Sequence, residues 1–170
     1  VGVMRCGLGW LCPVCSATIR TRRAGLLASG FDRWIAGGGS LVMVTLTLPH
    51  NRFDSLETSL LALLDGWRST YKHPYVRRLF KSLGLAGFLR AVEITYSFDN
   101  GWHPHIHLLL LLDHQLSTTE AASLEPVMFP IWQSSIVKLG RLAPQPAAFH
   151  VRVGDGAAGD YVTKVQDGFD

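Results

Sequence analysis

Between Gly101 and Leu112 the chain reads GWHPHIHLLLLL, which sets His103, His105 and His107 at alternate positions ahead of five leucines. Alternate residues of an extended strand share a face. Three imidazoles would then line one side, while Ile106, Leu108, Leu110 and Leu112 bury the other. Imidazoles at i and i+2 can converge on one ion, above all beside a carboxylate. Glu93 is the carboxylate in reach. A turn near Asp99–Asn100 would run it back alongside His105 to His107, although a one-residue slip would change its face. A carboxylate with two imidazoles and open positions suits Mn²⁺ or Mg²⁺, whereas three histidines alone lean toward zinc. The competing reading is a row of hydrogen-bonded polar residues at a strand mouth. Three histidines in five positions favour metal or phosphate chemistry over it.

Two further groups carry chemistry. Tyr161 and Lys164, in GDYVTKVQ, are three residues apart and would share one face of a short helix. A phenol titrates near 10 and is a poor nucleophile at neutral pH, but a cation beside it and a metal-polarised phosphate both help. Alone, the pair is weak and reads equally as a surface tyrosine on an amphipathic helix. Cys6, Cys12 and Cys15 supply three thiols, enough for three of the four ligands of a tetrahedral zinc. The fourth would lie upstream or be His50, His73 or His114. A Cys12–Cys15 redox pair is the rival, but no thioredoxin-like βαβ pattern surrounds it.

The elements that must position these residues can be read from pattern. Pro13 to about Ile35 has helical spacing and ends at Gly37-Gly38-Gly39-Ser40. Leu41–Pro49 is a strand by its β-branched residues. Helices follow over Ser55 to about Thr70 and over Tyr75–Leu83. Phe88–Ser97 and His103–Asp113 are strands joined across Phe98–Gly101, where Asn-Gly signals a turn. Ser117–Ile136 is helical with interruptions near Pro126 and Pro130, Ala148–Val153 is a short strand, and Ala157–Gln166 is a last helix. The fold class is α+β, with a mainly antiparallel sheet under helical cover.

Composition sets the bounds. The chain has 170 residues, 48% hydrophobic and 17% charged, and so suits one globular domain. The leucine run is far too short for a membrane span, and the N-terminus lacks signal-peptide architecture. The opening VGVMRCG and closing QDGFD suggest a domain of a longer protein. Net charge is only +3, but Arg68, Lys72, Arg77, Arg78, Lys81 and Arg90 follow one another with no acid between Gly66 and Val92. Trp67, Tyr71 and Tyr75 are interleaved with them, a combination that suits single-stranded nucleic acid as well as a plain solvated helix face. Arg20, Arg22 and Arg23 form a second cluster.

The order VTLTLP (Val44–Pro49), HPHIHLLL (His103–Leu110) and YVTK (Tyr161–Lys164) resembles the three motifs of the HUH endonucleases. Within them the chain is most similar to rolling-circle replication initiators of bacterial, especially actinobacterial, plasmids. CGLGWLCPVCS, EITYSFDNGWHPH and YVTKVQDG all carry that likeness. The resemblance implies a ferredoxin-like or RRM-like domain over residues 37–170, preceded by a zinc-binding segment and helix over residues 1–36. It implies His105 and His107 as paired ligands of Mn²⁺ or Mg²⁺, Glu93 as the third, Tyr161 as the nucleophile and Lys164 as its electrostatic helper. Structural zinc would sit at Cys6, Cys12 and Cys15, and origin DNA would bind along Arg68, Lys72, Arg77, Arg78 and Lys81. The implied reaction nicks and rejoins a single-stranded or extruded origin through a 5′-phosphotyrosine, in the cytoplasm, with host helicase and polymerase as partners and no membrane. Some members place a glutamate four residues before the tyrosine. That position here is Ala157, which leaves Asp155 or Asp160 to stand in, or a different route for the terminating step.

Three other readings compete. A histidine-triad nucleotide hydrolase would use His105 as its nucleophile, but Pro104 is awkward in that pattern and the cysteines and YVTK go unused. A relaxase or transposase would share the superfamily chemistry. A zinc-stabilised DNA-binding module would have none.

Overall fold

The computed structural model describes Cys6, Gly7, Gly9 and residues 12–153. The expected helix over Ala157–Gln166, and with it Tyr161 and Lys164, lies outside the described residues. In chain order the elements are α1 (Pro13–Ala36), β1 (Ser40–Leu46), α2 (Leu56–Lys72), α3 (Pro74–Ser82), β2 (Leu85–Ser97), β3 (Gly101–Leu112), α4 (Thr118–Lys138) and β4 (Phe149–Val153). The strands form one sheet in the order β2-β3-β1-β4, with every neighbouring pair antiparallel. From β1 onward this is the split β-α-β-β-α-β pattern of ferredoxin-like domains, and the fold is α+β.

Strand parity sorts the side chains into two layers. Val42, Val44 and Leu46 of β1 and Ile106, Leu108, Leu110 and Leu112 of β3 point to one face. There they join Leu63 and Trp67 of α2, Val76 and Phe80 of α3, and Leu124, Met128, Trp132 and Ile136 of α4. The other face holds Leu41, Met43 and Leu109 against Phe31 of α1, with Leu27, Trp34 and Ile35 packed around them. The Trp34 indole N–H donates to the Leu112 carbonyl at 2.9 Å and fastens α1 to the end of β3. Where α2 meets α4, Gly66 permits the approach, because a Cβ there would run into Ile136 and Trp132.

Local chemistry sets the helix ends. Ser55 caps α2 by accepting from the Thr58 N–H. Ser117 and Glu120 form a reciprocal capping box at α4. The expected interruptions at Pro126 and Pro130 do not occur: α4 runs unbroken through both. Both prolines lie on the exposed side of the helix. A penalty of about 3 kcal/mol per internal proline is offset by burial of Leu124, Met128, Trp132 and Ile136, about 1.5–3 kcal/mol each. The β2–β3 turn also differs in detail from a two-residue Asn-Gly hairpin. Ser97 pairs with Gly101, leaving Phe98, Asp99 and Asn100 as a three-residue loop. Only Gly101 takes a positive φ there, +75°.

His114 follows β3 and ties the sheet to the start of α4. Its Nδ1 is 3.0 Å from Asp113 and its Nε2 3.1 Å from Glu120. Asp113, then Glu120, raise its pKa above the ordinary 6.5. The Ser117 hydroxyl and backbone N–H, then His114, lower Glu120 from 4.5 to about 2. The histidine's contribution to stability is complete below its unfolded pKa and is lost as pH rises through the raised folded value. The glutamate's is present above its ordinary value and is lost as pH falls through about 2. An NMR titration should give His114 a midpoint above 6.5 that falls toward that value in Asp113→Asn. An unmoved midpoint would contradict this junction.

Candidate metal centre

The upper end of β3 is where parity becomes chemistry. Glu93 of β2 lies directly across from His105, and His107 is flanked by Ala91 on β2 and Thr45 on β1. Side chains paired across antiparallel strands share a face, so Glu93, His105, His107 and Thr45 all stand on the α1 side of the sheet. One ligand atom from each of Glu93, His105 and His107 falls within 4.8 Å of the others. The Glu93 Oε2 is 2.6 Å from His107 Nε2, a charge-assisted distance, and the His107 side chain is almost fully buried.

The other ring nitrogen is also used. His107 Nδ1 lies 3.1 Å from the Thr45 hydroxyl. With a cation in place of the proton between Nε2 and Glu93, Nδ1–H would donate to the Thr45 hydroxyl, the tautomer a metal ligand requires. The donor set fits a divalent cation. It offers one carboxylate and two imidazoles aimed at one point, with a hydroxyl fixing one ring from behind.

His103 stands outside this ligand group. Its ring lies between His50 at 4.1 Å and His105 at 4.0 Å, centroid to centroid. Burial, then the neighbouring His50, lowers its pKa against the opposing pull of Glu93. Thr45, and the contact of His50 with His103, did not emerge from the sequence reading. The alternation in VTLTLP puts Thr45 opposite in parity to Val44 and Leu46, but only the β1–β3 pairing shows that it reaches His107.

At the start of α1 the thiols of Cys6, Cys12 and Cys15 also come within 4.8 Å of one another, with Cys6 and Cys15 Sγ 3.6 Å apart. The Cys12 thiol is lowered from its ordinary range, first by the Cys15 backbone N–H and then by the Cys6 and Cys15 thiols. That favours the thiolate a zinc ion would bind. None of the three histidines considered as a fourth ligand joins this group. His50 stacks on His103, His73 caps α3, and His114 holds Asp113 and Glu120.

The basic stretch is placed elsewhere. Arg68, Lys72, Arg77, Arg78 and Lys81 are exposed on α2 and α3, the layer that covers the apolar face opposite the histidines. Two of its aromatics belong to the core: Trp67 is 3% exposed, and Tyr71 packs against Trp67, Phe80 and Phe88. Tyr75 alone of the three is open, and Arg78 lies over its ring at 4.6 Å. Arg20, Arg22 and Arg23 ride on α1, the layer on the metal centre's own side.

The model of a replication protein family, Rep_1, matches residues 6–122. The chain belongs to that family. The match takes in the three cysteines, β1, Glu93, His105 and His107 and stops within α4, short of Tyr161. The chain is 35% identical over 139 residues to the "Protein rep" of Streptomyces lividans. It is 31% identical over 137 residues to a Streptomyces cyanogenus protein named "Neomycin resistance protein". Each alignment covers 66% of this chain but only 30% and 31% of the relative. No solved structure matches significantly. Among the described residues no helix is long and apolar enough to cross a membrane.

Two outcomes follow from this geometry. Thr45→Val, which keeps the strand and removes the hydroxyl, should weaken Mn²⁺ binding by about 10–100-fold in calorimetric titration, with unchanged circular dichroism. Unaltered affinity would show that the hydroxyl does not position His107. Protein purified under reducing conditions should carry one zinc per chain by elemental analysis, lost together with the fold of the N-terminal segment when Cys12 and Cys15 are replaced by Ser. Zinc-free folded protein would exclude a structural site at the cysteines.

Proposed function

We propose that this domain nicks and rejoins one strand of a plasmid replication origin and so initiates rolling-circle replication. The observation that carries the reading is the placement of Glu93 against His105 and His107, on a strand pair of a replication protein fold. Membership of the replication protein family supports it and disfavours a histidine-triad hydrolase, which has no use for Glu93 or for the cysteine group.

Glu93, His105 and His107 would hold Mn²⁺ or Mg²⁺, with Thr45 fixing the His107 ring. A cation bound there supplies Lewis-acid polarisation of a phosphate oxygen. In the proposed step Tyr161, helped by Lys164, gives up its phenolic proton and its oxygen attacks the phosphorus. The bond to the 3′-oxygen breaks, and that oxygen takes a proton to become the 3′-hydroxyl a host polymerase extends. The 5′-phosphate stays on Tyr161, so the bond energy is kept and the ends can be rejoined by the reverse step. Host helicase would open the duplex ahead of the new primer. Cys6, Cys12 and Cys15 would hold zinc in a structural role, and the exposed cations of α2 and α3 would contact flanking DNA backbone.

The adduct is the test. The chain incubated with an origin-containing single strand and Mn²⁺ should give a denaturant-stable complex with the 3′-side fragment. Tyr161→Phe should abolish the adduct and leave DNA binding nearly intact, and His107→Ala should slow its formation by several orders of magnitude. An adduct formed by Tyr161→Phe, or mapped to a histidine, would overturn the reading.

A further inference from the structure

The far end of the β2–β3 hairpin carries a group of aromatics that neither the core nor the metal centre uses. Phe53 is 85% exposed, Phe98 75%, Tyr96 59% and Trp102 39%. Tyr96 and Trp102 pair across the two strands, with ring centroids 4.8 Å apart. The Arg52 guanidinium lies 5.3 Å from the ring centroids of both Phe53 and Phe98. The loop and the hairpin are in contact, because a Cβ on Gly101 would sit 2.7 Å from the Arg52 Cα. Asn51 and Asp54 brace the loop through paired hydrogen bonds, so these rings stand on built structure.

A cross-strand Tyr–Trp pair is explained by hairpin stability alone. Phe53 and Phe98 are not, since they bury little and gather round a cation that forms no ion pair among the described residues. The charge at the tip is Arg52 against Asp99, both exposed, while Asp54 is taken by Arg141 at 2.8 Å. Exposed flat rings beside an uncommitted guanidinium are what unpaired bases and their phosphates bind.

Position adds a second argument. Tyr96 is three residues beyond Glu93 and Trp102 three before His105, a separation of about 10 Å along the strands. At about 3.4 Å per nucleotide that is the reach of a few stacked bases. The same loop that presents Phe53 also presents His50, which stacks on His103 beside the metal centre. Tyr96 and Trp102 have the parity opposite to Glu93 and His105, so a strand lying on both must pass round the tip.

We propose that Tyr96, Phe98, Trp102 and Phe53, with Arg52 between the two phenylalanines, form a stacking platform for unpaired bases of single-stranded DNA next to the metal centre. The proposal deepens the reading of the chain as a single-strand nickase and rests on it only for its location. The test is fluorescence anisotropy of a labelled short oligothymidylate binding to the full chain in Mn²⁺. Trp102→Leu, and separately the double variant Phe53→Ser with Phe98→Ser, should each weaken binding by about tenfold or more and leave duplex binding unchanged. The double variant touches only exposed side chains and decides the matter should Trp102→Leu fail to fold. Wild-type affinity in the double variant would overturn the platform. So would an equal loss on duplex DNA, which would mark a backbone contact instead. A platform-dependent affinity in protein that forms no Tyr161 adduct would sink the nicking reading and leave this one standing.

Discussion

A slip of one residue between β2 and β3 would carry Glu93 to the apolar face and leave His105 and His107 with no carboxylate. The candidate site therefore depends on this register before it depends on any ligand. Several contacts hold it. Ile106, Leu108, Leu110 and Leu112 are wholly buried on the α2–α4 side, so a slip would expose four large side chains and bury the histidines instead. At the other end Gly101 turns the chain with a positive φ, packed against Arg52, where no side chain fits.

The same strand serves stability and chemistry by changing character along its length. From Leu108 onward both faces are apolar, and α1 covers the second through Phe31. At His107 the row Thr45–His107–Ala91 begins the polar part of that face. Setting a carboxylate and an imidazole there, each little exposed, costs desolvation that their mutual hydrogen bond only partly returns. A divalent cation shared between them would give the arrangement a purpose that packing does not.

Much of this was legible in the sequence because strand parity has a period of two and needs only a register. His105, His107 and Glu93 were found that way. The helix starts at Pro13, Ser55 and Ser117 follow from capping chemistry. What pairs across distant segments was not legible. Thr45 reaches His107 only through the β1–β3 ladder, and His50 meets His103 only because the loop after β1 folds back toward the hairpin. Trp67 and Tyr71 read as base-stacking partners of the basic stretch, yet they face inward. Their helical phase sets them toward the sheet, and tertiary burial outranks the charge of their neighbours. The prolines of α4 misled for the same reason, a local signal overruled by a buried face.

The central claim is that Glu93, His105 and His107 hold one divalent cation, and pulsed electron paramagnetic resonance of the Mn²⁺-loaded chain tests it most directly. The account predicts nitrogen couplings from two imidazoles, one removed by His105→Ala and the other by His107→Ala, with both retained in His103→Ala. A spectrum with no directly coordinated nitrogen, or one that changes only with His103→Ala, would contradict it.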